Sequence, residues 1–202
     1  TEKEPEYGKY LQKAEKASQA KGFVLPYGDS PFDDEPVGET VYMDILNRAK
    51  KYVHIMTPYL IIDQSMITAL TFAAKRGVDV KLILPHIPDK KFVFALAKSH
   101  YKELLKAGVR IYEYTPGFVH AKIFTSDDEK AVVGTINLDY RSLYLHFECA
   151  AFLYQVEEIA EIEKDFQRTL EKCQEVTLEN RKKGTFFLRL EGWLLKWLAP
   201  LM

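Results

Sequence analysis

Val78-Asp79-Val80-Lys81-Leu82-Ile83-Leu84-Pro85 decides the fold of this chain, because of what stands on either side of it. The octet reads as a strand ended by proline. Upstream, residues 64–76 read as a helix with Gly77 as its C-cap. Downstream, residues 90–107 read as a second helix stopped by Gly108, and Val109-Arg110-Ile111-Tyr112-Glu113-Tyr114 as another strand. Further out, Tyr52-Val53-His54-Ile55-Met56-Thr57 is a strand closed by Pro58. It follows a helix over 39–51 in which Val41, Tyr42, Ile45, Leu46 and Ala49 recur at helical spacing. Strand and helix in alternation mark parallel βαβ units. The expected fold class is therefore α/β, with a mixed, largely parallel sheet flanked by helices on both faces. Residues 22–26 add a short strand closed by Pro26, and 27–36 a loop dense in turn formers. Residues 130–133 and 147–154 add two more strands, and 157–174 a charged amphipathic helix.

With 202 residues, 47% of them hydrophobic, the chain can bury one sizeable core, and one domain fits better than two. A formal net charge of −1 creates no global field toward nucleic acid or an acidic membrane, so attraction to phosphate has to be local. Cys149 falls in an apolar strand-like run and Cys173 in the polar helix; both are expected reduced. No signal-peptide pattern opens the chain and no run of about 18 apolar residues occurs, so no membrane span is expected in it. The chain begins without methionine on a polar run, residues 1–21, read as a connector with a short helix near 10–20 and as a sign of a longer protein. Asp33-Asp34-Glu35 lacks the spaced ligands of a calcium loop and reads as a solvated loop near the site rim. Neither metal nor cofactor is expected. In the tail, 185–202, Phe186, Phe187, Leu190, Trp193, Leu194, Trp197 and Leu198 share one helical face beside Arg189 and Lys196. Such a face either docks on another part of the protein or lies in a membrane interface.

The chemistry concentrates in Phe118-Val119-His120-Ala121-Lys122-Ile123-Phe124-Thr125-Ser126-Asp127 and in Val133-Gly134-Thr135-Ile136-Asn137. On an extended segment, alternation puts His120 and Lys122 on one side and Val119, Ala121 and Ile123 on the core side. An imidazole beside a fixed cation suits an anionic substrate, phosphate above all. Lys122 and Asn137 are expected to donate to phosphoryl oxygens. His120 is expected to attack phosphorus or to protonate a departing alkoxide. A carboxylate should fix its tautomer, and Glu148 is the candidate. Gly134 and Thr135 supply the bend, Asp127 is expected to fix the turning loop, and Asp139 with Arg141 a supporting ion pair. His54, His86, His100 and His146 read as ordinary polar residues.

His120-x-Lys122-x4-Asp127 with Gly134-Thr135-x-Asn137 resembles the HKD motif of the phospholipase D superfamily. Tyr27-Gly28-Asp29-Ser30-Pro31, Thr57-Pro58-Tyr59-Leu60, Tyr112-Glu113-Tyr114-Thr115-Pro116-Gly117, Asn137-Leu138-Asp139-Tyr140-Arg141-Ser142 and the closing Leu198-Ala199-Pro200-Leu201-Met202 resemble the C-terminal half of bacterial cardiolipin synthases. The resemblance implies a half-domain over 22–184 with His120, Lys122 and Asp127 as catalytic motif residues. It implies a metal-free phosphatidyltransferase joining two phosphatidylglycerol molecules into cardiolipin, with glycerol released. One histidine becomes phosphatidylated and the histidine of a partner half serves as acid, then base. By that likeness His120 is the acid–base member. The partners implied are phospholipid, a membrane surface and a second HKD half, and the location a bacterial membrane reached through N-terminal segments absent here. No other histidine carries both the lysine two residues on and the aspartate seven residues on. The second half-site must then come from a missing half or from a second chain on a twofold axis, and the lone half is expected inactive. The rivals are a homodimeric single-motif phosphodiesterase or nuclease, and a non-catalytic lipid-binding module. Balanced charge without a basic, aromatic-laced stripe speaks against nucleic acid.

Overall fold

The computed structural model describes residues 6–9, 21–32 and 34–179. The helix expected near 10–20, Asp33 and the amphipathic tail over 185–202 lie outside the described residues. Among the described residues, ten strands and four α-helices follow in the order β1 (Phe23–Asp29), α1 (Val37–Arg48), β2 (Tyr52–Met56), β3 (Leu60–Ile61), α2 (Gln64–Lys75), β4 (Asp79–Pro85), α3 (Lys91–Ala107), β5 (Arg110–Tyr114), β6 (Ile123–Ser126), β7 (Lys130–Gly134), β8 (Leu138–Asp139), β9 (Glu148–Tyr154), α4 (Glu158–Leu170) and β10 (Cys173–Val176). A π-helical turn, Arg141–Leu145, separates β8 from β9.

Eight strands form one mixed sheet in the order β1-β9-β7-β6-β2-β4-β5-β10, while β3 and β8 make a small parallel pair. Only β2–β4 and β4–β5 pair in parallel within the large sheet. Its other pairings are antiparallel, so the expectation of a largely parallel sheet is corrected. The reason lies in the β6–β7 connection. Asp127 and Asp128 sit at φ 57° and 59°, and the Glu129 N–H donates to the Ser126 carbonyl at 3.0 Å. That is a primed hairpin turn, which folds a chain back antiparallel; Asp tolerates the left-handed conformation better than most residues.

Helices α1, α2 and α3 cover one face, burying Tyr42, Leu46, Met66, Leu70 and Leu104 against Val53, Ile55, Val80, Leu82, Ile111 and Phe124. The Tyr42 ring stacks on Phe124 at 3.9 Å. Helix α4 covers the other face with an i, i+3, i+4 stripe, Ile159, Ile162, Phe166 and Leu170. Phe166 packs on Met56, Ile83, Tyr112 and Val119, and Ile159 on Ala131 and Leu153.

Two boundaries differ from the sequence expectation. β1 runs through Pro26 to Asp29 rather than ending at the proline, because it is an edge strand paired on one side with β9, where a missing N–H is tolerated. Cys173 belongs to the edge strand β10 rather than to the helix, which stops at Leu170. The polar run Cys-Gln-Glu-Val carries no apolar signature and is a strand only because it pairs with β5.

Candidate active site

The stretch from Phe118 to Lys122 lies just before β6, off the regular ladder. It is held on one side by the Gly134 N–H, which donates to the Lys122 carbonyl at 3.3 Å. Val119, Ala121 and Ile123 pack into the α4-side core as the alternation requires. His120 is exposed, and among the described residues no hydrogen bond engages its ring; the neighbour is the Phe118 ring, with centroids 5.9 Å apart. The Lys122 ammonium donates to the carbonyl of His120 at 2.7 Å, which anchors the cation beside the histidine. Partial burial draws the Lys122 pKa below the ordinary lysine value, although the Glu148 and Asp139 carboxylates push it back up. The ammonium therefore stands in a desolvated place with acidic walls.

Those walls follow from the bend after β7. A Cβ on Gly134 would stand 2.4 Å from the Ala150 Cβ, so only glycine lets β7 approach β9 this closely. The Thr135 N–H then donates to the Cys149 carbonyl at 2.9 Å, and the Thr135 hydroxyl accepts from the Cys149 N–H at 3.0 Å and donates to Glu148. The second oxygen of Glu148 accepts from the Ser142 hydroxyl at 2.7 Å, with His146 Nδ1 3.8 Å away. Glu148 therefore braces Thr135 and Ser142, and no hydrogen bond joins it to His120 among the described residues, contrary to the sequence expectation. Both carboxylate oxygens are already taken by hydroxyls of the neighbouring bend. Asp139 likewise forms no pair with Arg141. Its buried carboxylate caps the π-helical turn by accepting from the Ser142 N–H at 2.9 Å.

Asn137 is half-buried, and its side-chain oxygen is buried without a hydrogen-bond partner among the described residues. A buried unpaired oxygen is costly; being an acceptor, it suits a ligand hydroxyl, while the NH2 of the same amide is the group able to donate to phosphoryl oxygens. The adjacent β3–β8 pair holds Asn137 in place: Leu60 lies opposite Leu138, and the Leu138 N–H donates to the Thr57 hydroxyl at 3.2 Å. Asp127 is not brought to this group. It sits at the far end of β6, about 13 Å along a strand from Ile123, and its carboxylate accepts the N–H groups of Lys50, Lys51 and Tyr52 at 2.8, 2.8 and 3.0 Å. Burial would raise its pKa, but these N–H bonds outweigh that and hold it below the usual carboxylate range. Ser142 and Tyr59 belong to the site region, and the sequence assigns them no role of their own; Asp139 is expected there, but as the partner of Arg141 rather than of the Ser142 N–H. The signal for Ser142 and Tyr59 is their place in the runs around Asn137 and Thr57.

Residues 42–170 match the family described as "Cardiolipin synthase, PLD-like domain". The chain belongs to the cardiolipin synthase PLD-like family. It is similar to an uncharacterized protein of Streptococcus mutans, 56% identical over 202 residues, which are all of this chain and 44% of that protein. A cardiolipin synthase of Halalkalibacterium halodurans is 35% identical over 193 residues, 96% of this chain and 38% of that protein. A cardiolipin synthase of Clostridium perfringens is 42% identical over 161 residues, 80% and 34%. The chain thus spans less than half the length of these relatives. Among solved structures, the phosphatidylserine synthase of Haemophilus influenzae aligns with a TM-score of 0.69 at 16% identity, over 89% of this chain and 48% of that one. The phospholipase D family member Nuc of Salmonella typhimurium aligns with 0.66 at 15% identity, over 77% and 99%. These two likenesses establish the PLD-like fold. Among the described residues no helix is long and apolar enough to cross a membrane.

Proposed function

We propose that this chain supplies one half-site of a phosphatidyltransferase that joins two phosphatidylglycerol molecules into cardiolipin and releases glycerol. The observation that carries the reading is the exposed His120 ring, unengaged by the described residues, beside an ammonium anchored on the same backbone, in a chain of this family. A second half-site, from elsewhere in the protein or from a second copy, completes the reaction, because one imidazole cannot be nucleophile and acid in the same step.

The nucleophilic imidazole attacks the phosphorus of the first phosphatidylglycerol, and the bond from phosphorus to the headgroup glycerol breaks. The imidazolium of the other half-site gives its proton to the leaving alkoxide, so glycerol departs neutral. A headgroup hydroxyl of the second phosphatidylglycerol returns a proton to that imidazole and attacks the phosphohistidine, freeing the first ring and closing the new diester. Protons and electron pairs balance without metal or redox partner. His120 takes the acid–base part. Lys122 and Asn137 donate to the non-bridging oxygens, where charge builds up. Gly134, Thr135, Ser142 and Glu148 hold the wall behind them, and Asp127 holds the hairpin that carries the motif. The site works at a bacterial membrane, where its substrates reside.

Incubation of the protein with phosphatidylglycerol vesicles tests the reading. Cardiolipin and glycerol should appear in equal amounts. Phosphatidic acid and glycerol without cardiolipin would replace transfer by hydrolysis, and inertness toward lipid with cleavage of DNA would replace it by the nuclease reading.

A further inference from the structure

The connection from β4 into α3 is exposed at every residue from His86 to Phe92. Two of these residues are large and apolar: Ile87 is 50% accessible and Phe92 59%. One such side chain is ordinary on a protein surface; two on one short segment beside an apolar groove need a reason. The groove is lined by Pro58, Tyr59, Ile87, Val93, Phe94 and Phe118 among others. Phe118, itself 38% accessible, places its ring centroid 6.3 Å from Tyr59 and 5.9 Å from His120. Phe118 thus lines the groove and neighbours the histidine. The groove's phenol is already satisfied, since the Tyr59 hydroxyl donates to Asp89 at 2.6 Å, which leaves the lining apolar in character.

Cations stand at the rim. Lys90 and Lys91 are exposed, the first turn of α3 holds no acidic residue, and Lys90 makes no side-chain cap. The exposed Asp89 carboxylate precedes them, accepting the Lys90 N–H and the Tyr59 hydroxyl, each at 2.6 Å, so residues 89–91 carry two positive charges against one negative. Apolar side chains interleaved with lysines suit the boundary of an anionic bilayer.

We infer that this edge is where the protein meets a lipid surface: Ile87 and Phe92 enter the acyl layer and Lys90 and Lys91 meet anionic headgroups, on the same side of the fold as Phe118 and its neighbour His120. The substrate identity rests on the phosphatidyltransferase reading; contact with the bilayer does not.

The test compares the whole protein with a Phe92→Ser/Lys90→Ser/Lys91→Ser variant, on phosphatidylglycerol vesicles and on water-soluble short-chain phosphatidylglycerol. Vesicle turnover and flotation should fall by roughly tenfold or more, the scale of exposing one large apolar side chain, while turnover of the soluble substrate holds. Ile87→Ser should weaken flotation in the same sense. Unchanged flotation, or an equal loss on both substrates, overturns the inference. His120→Ala separates the two proposals: it should abolish turnover of both substrates and still float. Wild-type protein that floats through this edge yet makes no cardiolipin sinks the enzymatic reading alone.

Discussion

His54 and His120 are the same residue in opposite circumstances. His54, on β2, is 4% exposed, with its ring sandwiched between Tyr52 at 4.4 Å and Phe166 at 4.7 Å. Its Nδ1 lies 2.8 Å from Glu163, and the Lys81 ammonium lies 3.3 Å from Nε2. Glu163 also accepts from Thr125 and Gln167, each at 2.6 Å. Every polar position of that imidazole is spoken for inside the fold. Among the described residues His120 has none of this: its ring is exposed and its aromatic neighbour is Phe118. The difference teaches that a histidine's role is read from what its nitrogens already hold. A satisfied ring ties α4 to the sheet, and an unsatisfied one is left for a substrate.

Substitutions can break or sharpen this contrast. The largest effect belongs to the His120 side. Lys122→Ala should lower kcat by about 10²- to 10³-fold, the scale of one oxyanion donor, with the melting temperature nearly unchanged; undiminished turnover would remove the phosphate role of the ammonium. On the other side, His54→Ala should cost about 3 kcal/mol in urea unfolding, by stranding a buried carboxylate and opening the Tyr52–Phe166 stack. Per folded molecule its turnover should stay near that of the parent, and unchanged stability would show that the network under α4 does not hold the helix.

The smallest effect is in acid. Burial would raise the pKa of Glu163, but its bonds from His54, Thr125 and Gln167 outweigh that and hold it low, and Asp127 is held low by backbone N–H groups. A carboxylate depressed in the folded state contributes stability above its unfolded value, about 4, and loses it as pH falls through the folded value. Stability should therefore decline below about pH 4, and Glu163→Gln should flatten that decline as followed by thermal melts.

Much of this was legible in the sequence. The βαβ run from β2 to β5 came through because its helices are long, periodic and capped by Gly77 and Gly108, both at positive φ. The core-side alternation of Val119, Ala121 and Ile123 around an exposed His120, and the close approach at Gly134, are legible because alternation and spacing are local properties. What escaped depends on contacts between distant segments. β3 and β8 are two residues each and exist only because Leu60 meets Leu138. β10 has no apolar run. Glu148 lies on β9, which β7 separates from the motif strand β6, and its partners are hydroxyls from the bend, a choice that only the packing of β7 on β9 decides. The lysine rim and the Phe118 groove come together only once β4, α3 and the motif segment share one end of the sheet.

The open imidazole of His120, and not the buried ring of His54, is proposed to perform the chemistry. Turnover of phosphatidylglycerol by the His120→Ala protein, taken on a sample whose thermal melt matches the parent, tests it most directly. The account predicts a loss of at least about 10²-fold with the fold intact. Turnover equal to the parent's on such a sample would contradict it.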